Sequence, residues 1–329
     1  MSDLLEIREL TVEFGPPGTP PVLDRVSLAI APGEVLALVG ESGSGKSITA
    51  LSVMRLLPPG ARMRAAAITL GDVDVLNATE SQMNRIRGSR ISMLFQQPKR
   101  MLDPTSSVAA QVAEPLQRYL GLSRSKAHDR VIELLTDVGI AEPERRARSY
   151  AHQLSGGIAQ RVMIAMALAG QPDVLIADEP TTALDVTVEV QILRLLAAKR
   201  AELGMSAMFV SHNLGVVSSI ADRIAVMYAG RIVEEGPASE ILTAPEHPYT
   251  QALVKCSLLE PETDGSLFMI PGDVNTARGI TCGCRFRPRC AVSVSAHLED
   301  ECGGAEPGLS ACGSRDHTSR CWASARKAG

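Results

Sequence analysis

The 329-residue chain is poor in aromatic side chains and has neither a long apolar run nor an excess of basic charge. Phe, Trp and Tyr make up 3% of the residues, whereas hydrophobic residues together reach 45%. A core must therefore be built mainly from aliphatic side chains, which is typical of parallel α/β packing. The net charge of -4 excludes a broad basic field for nucleic acid.

Membrane-spanning and secretory segments are also missing. No apolar stretch approaches the roughly 18 residues that a spanning helix needs. The N-terminus carries Asp3, Glu6, Arg8 and Glu9, which do not fit the apolar centre of a signal peptide. We therefore expect a cytosolic protein that reaches a membrane only by docking onto other chains.

A glycine-rich stretch follows the apolar run 35–39, which we predict to be a buried parallel strand. Its sequence G-E-S-G-S-G-K-S fits the phosphate-loop pattern G-x-x-x-x-G-K-[ST]. A helical pattern continues from Ser47 to Leu57, and we expect Pro58 and Pro59 to stop that helix. With a strand before it and a helix after it, the stretch predicts a phosphate-binding loop rather than a chance turn.

The chemistry of this loop suggests a role for each residue type. Glycines let backbone N–H groups wrap a phosphate, and the N-terminus of the following helix favours negative charge. Lys46 should reach the β- and γ-phosphates, and the hydroxyl of Ser47 should hold Mg²⁺. The residues predicted to bind nucleotide in this loop are Gly40, Glu41, Ser42, Gly43, Ser44, Gly45, Lys46, Ser47 and Ile48.

A second motif, L-S-G-G-I-A-Q-R, occupies residues 154–161. Ser155 can cap a helix there, and the glycines expose backbone N–H groups to an anion, although S-G-G alone is usually a turn. Together with the phosphate loop, the motif resembles the signature of ABC-type ATPases. The resemblance implies contact with the γ-phosphate of ATP held by a second subunit, made by Ser155, Gly156, Gly157 and Gln160.

Two acidic residues, Asp178 and Glu179, follow the apolar run 174–177. Such a pair is common at a strand end, but after the two motifs it resembles Walker B and the catalytic glutamate of the same family. Asp178 would then hold the metal through water, and Glu179 would polarise the attacking water.

Four further positions are assigned by the same resemblance. The segment 181–185, ending in Asp185, resembles the D-loop that meets the partner subunit. His212 resembles the switch histidine at the γ-phosphate, although a histidine after a strand is more often structural. Gln96 resembles the glutamine that senses Mg²⁺ and couples to membrane subunits, so Ser47, Gln96 and Asp178 form the implied Mg²⁺ set. Phe14 resembles the aromatic that stacks on adenine, with a simple core position as the alternative.

The resemblance narrows to the ATPase subunits of peptide/nickel-type ABC importers, the oligopeptide and dipeptide permease family. It covers nearly the whole chain. The chain departs from the family pattern in three places: at Ile158-Ala159 in the signature, at Asn213 after the histidine, and at Gln97 after the glutamine. The segments that carry the resemblance are residues 40–47, 178–187 and 226–236, His247-Pro248-Tyr249-Thr250, and Cys284-x-Phe286-x-x-Arg289-Cys290.

The predicted fold class is α/β, a P-loop ABC ATPase core with an antiparallel β subdomain, a helical subdomain and a small Cys-rich C-terminal extension. Residues 1 to about 33 are predicted to form antiparallel strands, and 35–103 to begin the P-loop core. Residues 104–155 are predicted to form the helical subdomain, because Val131, Leu134, Leu135 and Val138 recur at the spacing of one helix face. We place the ATP-binding domain at 1–255 and the extension at 256–329.

Six of the seven cysteines fall between Cys282 and Cys321. A cytosolic protein keeps thiols reduced, so metal binding is favoured over disulfides. The family resemblance points to four of them as a possible [4Fe–4S] site, with Zn²⁺ or free thiols as alternatives. These four are Cys284, Cys290, Cys302 and Cys321, whereas Cys256, Cys282 and Cys312 are expected to take no part.

The resemblance implies an ATP-hydrolysing subunit that powers import. Its cofactors would be ATP and Mg²⁺. Its partners would be a second ABC ATPase subunit, two membrane permease subunits and, indirectly, an extracytoplasmic binding protein, at the cytoplasmic face of the inner membrane. Di- or oligopeptides are the expected cargo, with nickel or a metal chelate as the alternative. A non-transport ABC ATPase is disfavoured because such proteins usually carry two ATPase domains or a long coiled coil.

Overall fold

The computed structural model describes residues 3–181, 185–257, 268–314 and 316–328. The chain divides into two compact units. The first unit comprises Met1–Leu76 and Phe209–Gly329, and the second comprises Asn77–Met208.

The strands within the described residues, in chain order, are β1 (Leu5–Glu13), β2 (Leu23–Ile30), β3 (Val35–Val39), β4 (Arg62–Arg64), β5 (Ala67–Leu70), β6 (Val73–Asp74), β7 (Ile91–Leu94), β8 (Val174–Asp178), β9 (Ser206–Ser211), β10 (Arg223–Tyr228), β11 (Arg231–Pro237), β12 (Ser310–Ala311) and β13 (Thr318–Ser319).

The α-helices in the same parts of the chain are α1 (Lys46–Met54), α2 (Glu80–Ile86), α3 (Pro98–Met101), α4 (Val108–Leu120), α5 (Arg124–Asp137), α6 (Pro143–Ala147), α7 (Gly156–Ala169), α8 (Val186–Leu203), α9 (Leu214–Val217), α10 (Ala238–Thr243), α11 (Pro248–Ser257), α12 (Val274–Arg278), α13 (Ala291–Ser295), α14 (Glu299–Gly304) and α15 (Trp322–Ala328).

The first unit contains an antiparallel sheet in the order β2-β1-β5-β6, with β4 also paired to β1. This confirms the antiparallel strands predicted at the N-terminus. The sheet also takes in residues 62–74, which the sequence pattern assigned to the βα core. These strands are short and pair with β1 far back in the chain, so local periodicity gave no sign of the pairing.

A second set of strands in this unit runs in the order β12-β13-β11-β10-β3. Strands β3 and β10 are parallel, whereas β10–β11 and β11–β13 are antiparallel. All five residues of β3 are buried, which confirms the predicted buried parallel strand. The C-terminal segment thus contributes β12 and β13 to the same set of strands as β3.

Helix α1 is shorter than the sequence pattern predicts. It ends at Met54 because Arg55 takes a left-handed conformation with φ 50°. The N–H of Leu56 then returns to the carbonyl oxygen of Leu51 at 2.9 Å, which closes the helix. The helix has therefore ended before Pro58, and the prolines do not terminate it.

The second unit is largely helical between α4 and α7. Helix α5 begins at its N-cap Ser123, and Val131, Leu134 and Leu135 are buried along it, as the 3.6-residue spacing predicts. The same unit holds the parallel pair β7–β8, whose strands are fully buried. Within the described ranges, no helix combines the length and apolar character needed to cross a bilayer.

The C-terminal segment is joined to the rest of the first unit by buried ionic contacts. Arg285 donates to the carbonyl oxygen of Ala229 and to the carboxylate of Asp24, each at 2.6 Å. Burial, together with the nearby Arg231, lowers the pKa of Arg285 to about 10. Burial alone would raise the pKa of Asp24, but the hydrogen bond from Arg231 and the charges of Arg231 and Arg285 outweigh it and lower that pKa.

A second ionic contact centres on Glu234 in β11, which is completely buried. Its carboxylate accepts the N–H of Glu246 at 2.7 Å and the N–H of His247 at 2.9 Å. His317, in the C-terminal segment, places Nε2 2.7 Å from Glu234 and Nδ1 3.1 Å from Glu240. The buried imidazole therefore bridges two carboxylates, the fully buried one of Glu234 and the partly exposed one of Glu240.

We expect His317→Ala to lower the free energy of unfolding of the C-terminal segment by about 3 kcal/mol, because it leaves a buried carboxylate without its side-chain partner. Trp322 is the chain's only tryptophan and lies in α15, so its fluorescence in a urea titration reports this segment. The matched control is His297→Asn, since His297 is exposed and asparagine accepts its φ of 52°. Equal midpoints for His317→Ala and the parent would contradict the expectation.

Candidate functional site

The glycine-rich loop joins the end of β3 to the start of α1, as predicted. Gly40 has φ 153°, and a Cβ there would collide with the backbone carbonyl oxygen of Met227 in β10. Gly45 has φ 114°, and a Cβ there would lie 2.6 Å from Leu23 Cδ2. Both positions therefore require glycine, and the loop lies directly against its neighbouring strands.

Polar groups of the loop are turned inward. Lys46 is 4% exposed, and its Nζ donates to the carbonyl oxygens of Gly40 at 2.7 Å and Glu41 at 3.0 Å. The side chain of Ser44 is fully buried, and its Oγ has no hydrogen-bond partner among the described residues. The loop thus encloses a cation and an unsatisfied hydroxyl at a helix N-terminus, which suits an anion. Ser42 and Gly43 are exposed, and Ser47 and Ile48 are half-buried at the start of α1.

In the second unit, Gln96 and Glu179 are in direct contact. Gln96 Nε2 donates to Glu179 Oε2 at 2.8 Å. Glu179 has φ 45°, an unusual conformation for a residue with a side chain, and it follows the buried Asp178 at the end of β8. Backbone strain of this kind is often found at active sites and ligand-binding sites, where the surrounding structure holds the strained residue in place. The side chains predicted separately to sense Mg²⁺ and to polarise water are therefore adjacent.

The signature motif begins α7. Ser155 Oγ accepts the N–H of Ile158 at 3.3 Å, which confirms the predicted helix cap. Gly156 and Gly157 form the first turn, and a Cβ on Gly157 would lie 3.3 Å from Val188 Cγ1. Gln160 is 2% exposed, and its Nε2 has no hydrogen-bond partner in the described parts of the chain.

Other predicted positions occupy the ends of elements. Asp185 caps α8 by accepting the N–H of Val188 at 3.0 Å, while Thr182, Ala183 and Leu184 of the same predicted loop lie outside the described residues. His212 is exposed directly after β9, and Phe14 is half-buried directly after β1.

Three residues that the sequence analysis gave no role touch the phosphate loop. The N–H of Glu41 donates to the hydroxyl of Tyr249 at 2.8 Å. Arg289 Nη1 lies 3.1 Å from Glu41 Oε2, and Arg278 donates to the carbonyl oxygen of Gly43. Tyr249 and Arg289 stand in motifs that carried the family resemblance, so the signal was present without a function attached to it.

The four cysteines singled out from the sequence line one small cavity, together with His247, Pro248, Phe286, Arg287, Pro307 and Trp322. Cys282 instead bonds the carbonyl oxygen of Gly304 at 2.8 Å, and Cys256 that of Phe268 at 3.5 Å. A metal ion needs a group of at least three His, Cys, Asp or Glu side chains. No such group is present, however, in residues 3–181, 185–257, 268–314 and 316–328. The expected metal site is therefore not formed by these side-chain positions.

Two protein-family models match the chain. The model of the ABC transporter family matches residues 23–182, and that of the oligopeptide/dipeptide transporter C-terminal region matches 233–296. The chain is 46% identical to a putative peptide import ATP-binding protein of Brucella ovis, over 91% of this chain and 90% of that one. It belongs to the oligopeptide/dipeptide branch of the ABC transporter ATP-binding proteins.

Other relatives agree. The chain is 43% identical to the dipeptide transport ATP-binding protein DppD of Haemophilus influenzae, over 95% of this chain and 93% of that one. Among solved structures, it is similar to the dimeric post-hydrolysis state of an ATP-binding cassette bound to ADP and Pi, with TM-score 0.64 and 29% identity over 71% of this chain and 98% of that one. The chain therefore has the ABC ATPase cassette fold and is an ATPase.

Proposed function

We propose that the chain powers uptake of di- or oligopeptides by hydrolysing ATP beneath membrane permease subunits. The names of its relatives support the cargo class. The observation that carries the ATPase role is the loop between β3 and α1, which encloses Lys46 and the unsatisfied hydroxyl of Ser44.

In this proposal the loop binds the phosphates of ATP. The amides of residues 42–47 surround the β-phosphate, and Lys46 exchanges its contacts with the loop carbonyls for the β- and γ-phosphate oxygens. Ser44 gains the hydrogen-bond partner that it lacks among the described residues. Phe14 stacks on the adenine ring. The loop therefore gives affinity through charge and backbone donors, and the aromatic side chain orients the base.

The acidic residues supply the hydrolytic part of the site. Ser47, Asp178 and Gln96 would hold Mg²⁺, whose charge offsets that of the phosphates. Glu179 orients and polarises the attacking water, and His212 faces the γ-phosphate. Gln96 donates to Glu179 at 2.8 Å, a contact that holds the proposed water-polarising carboxylate in place.

The signature serves the site of a second ATPase subunit. Ser155, Gly156, Gly157 and Gln160 stand at the N-terminus of α7, where backbone donors and the helix dipole favour a γ-phosphate. Asp185 and its loop then meet the partner. We place the ATP-binding domain at residues 1–255, with the permease contact in the helical subdomain, and the complex at the cytoplasmic face of the inner membrane.

We expect Glu179→Gln to reduce ATP turnover by at least about a hundredfold with little change in ATP affinity, because it removes the group that polarises water. The amide is isosteric, so the shape of the site is retained. Lys46→Ala is the contrasting variant, since it should weaken nucleotide binding itself. Steady-state hydrolysis and a nucleotide titration separate the two, and a Glu179→Gln protein with more than about a tenth of parental turnover would contradict the assignment.

Peptide uptake is tested on the assembled transporter. Co-expressed with its permease and binding-protein partners and placed in proteoliposomes, the parent should take up a labelled dipeptide in an ATP-dependent manner, and Glu179→Gln should not. Nickel ions and a nickel chelate serve as competing cargo. Accumulation of nickel without peptide would replace the cargo assignment and leave the ATPase role intact.

We further propose that Cys284, Cys290, Cys302 and Cys321 bind a [4Fe–4S] cluster that staples the C-terminal segment. Their common cavity supports this, since four thiolates are the usual ligand set of such a cluster. The side chains must rotate to reach a shared centre. When bound, the cluster would cross-link a segment made of short helices and two-residue strands, a class of fold that often needs such a staple.

Protein purified without oxygen should contain about four iron and four sulfide per chain. Replacing any of the four cysteines by serine should remove the iron and lower the urea midpoint reported by Trp322. Cys256→Ser is the matched control, because Cys256 lies outside the cavity. Stoichiometric zinc without iron would identify a Cys₄ zinc site, and a metal-free protein with an unchanged midpoint would return these residues to ordinary thiols.

A further inference from the structure

The C-terminal segment makes a charged contact with the start of the phosphate loop. Arg289 directly precedes Cys290, and its Nη1 lies 3.1 Å from Oε2 of Glu41, the second residue of the loop. The other oxygen of that carboxylate, Oε1, is buried and has no hydrogen-bond partner among the described residues. Arg289 therefore holds the Glu41 carboxylate through Oε2.

Arg289 is itself held firmly. Its side chain is 6% exposed. Its Nε donates to the carbonyl oxygen of Pro271, and its Nη2 donates to that of Ile270 at 3.3 Å. Its Nη1 also lies 3.3 Å from the hydroxyl of Tyr228, whose ring centroid is 5.7 Å from the guanidinium carbon. A guanidinium with this many partners has little freedom to follow Glu41 if the loop moves.

An aromatic cluster fixes the same end of the loop from a second direction. The hydroxyl of the fully buried Tyr249 accepts the N–H of Glu41 at 2.8 Å. The ring of Tyr249 lies 4.6 Å from that of Tyr228 and 5.4 Å from that of Phe286, centroid to centroid. Phe286 stands between Cys284 and Cys290, so the C-terminal segment takes part in holding both the backbone and the side chain of Glu41.

We propose that Arg289 is a positioning residue for nucleotide binding, which acts by fixing Glu41 and with it the first turn of the phosphate loop. The inference rests on the proposed role of that loop in binding ATP. Without Arg289, the Glu41 carboxylate turns toward solvent, because a partly buried charge that has lost its partner is costly. The N–H of Glu41 then leaves Tyr249, and ATP must reorder the loop as it binds.

The test is a titration of the full-length protein with a fluorescent ATP analogue and Mg²⁺, together with the KM and kcat of ATP hydrolysis. Arg289→Gln should raise the Kd and KM by about tenfold with a smaller change in kcat, because a charge-assisted contact is lost away from the reacting atoms. Arg289→Lys keeps the charge and should recover most of the affinity. In a Glu41→Gln background, Arg289→Gln should add little, as expected of residues that act through one contact.

The matched control is Arg287→Gln. Arg287 lies two residues away and donates to the carbonyl oxygens of Cys282 at 2.9 Å and Gly303 at 3.0 Å, all within the C-terminal segment. The Arg287→Gln substitution should therefore lower the urea midpoint reported by Trp322 and leave the nucleotide Kd within about twofold of the parent.

An unchanged Kd in Arg289→Gln would overturn the proposal, as would equal losses of affinity in Arg287→Gln and Arg289→Gln, since general unfolding of the segment would then explain both. The proposed function fails differently, because it requires Lys46→Ala to lose ATP affinity whatever stands at position 289.

Discussion

The loop between β3 and α1 is held against strand β10, and the nucleotide site proposed there depends on that contact. Gly40 lies so near the carbonyl oxygen of Met227 that no side chain fits between them. From the other side, the N–H of Gly230 donates to the carbonyl oxygen of Ser44 at 2.8 Å. These contacts fix the backbone of the loop, which lowers the ordering cost of binding a phosphate there.

The residues proposed to hydrolyse ATP and those of the signature motif are positioned differently, by hydrogen bonds at the ends of helices and strands. Ser155 and Asp185 each accept a backbone N–H in the first turn of a helix. Glu179 is held at φ 45° directly after a buried strand and receives a hydrogen bond from Gln96. Each of these side chains is positioned by its own few neighbours, so the motifs remain short enough to recognise in the sequence.

That locality explains what the sequence could predict. Strand β3, helix α5 and the cap at Ser155 follow from periodicity and capping within a few residues, and all three are confirmed. The predicted end of α1 at Leu57 is wrong, because Arg55 adopts a left-handed conformation that its residue type does not indicate. The contact between Glu41 and Arg289 spans 248 residues of sequence, and no local pattern encodes a pairing of that length.

The same long contact has a thermodynamic consequence. The C-terminal segment is attached by the pairing of β13 with β11 and by polar side-chain contacts of Arg285 with Asp24, Arg289 with Glu41 and His317 with Glu234. One of these pairs includes a phosphate-loop residue, so the folded segment and the ordered loop stabilise each other. Such coupling is reciprocal: if the segment favours the ATP-binding shape of the loop, bound ATP must favour the folded segment by the same free energy. The coupling runs through the contact between Arg289 and Glu41, so a change elsewhere in the segment can alter its stability without altering the nucleotide site.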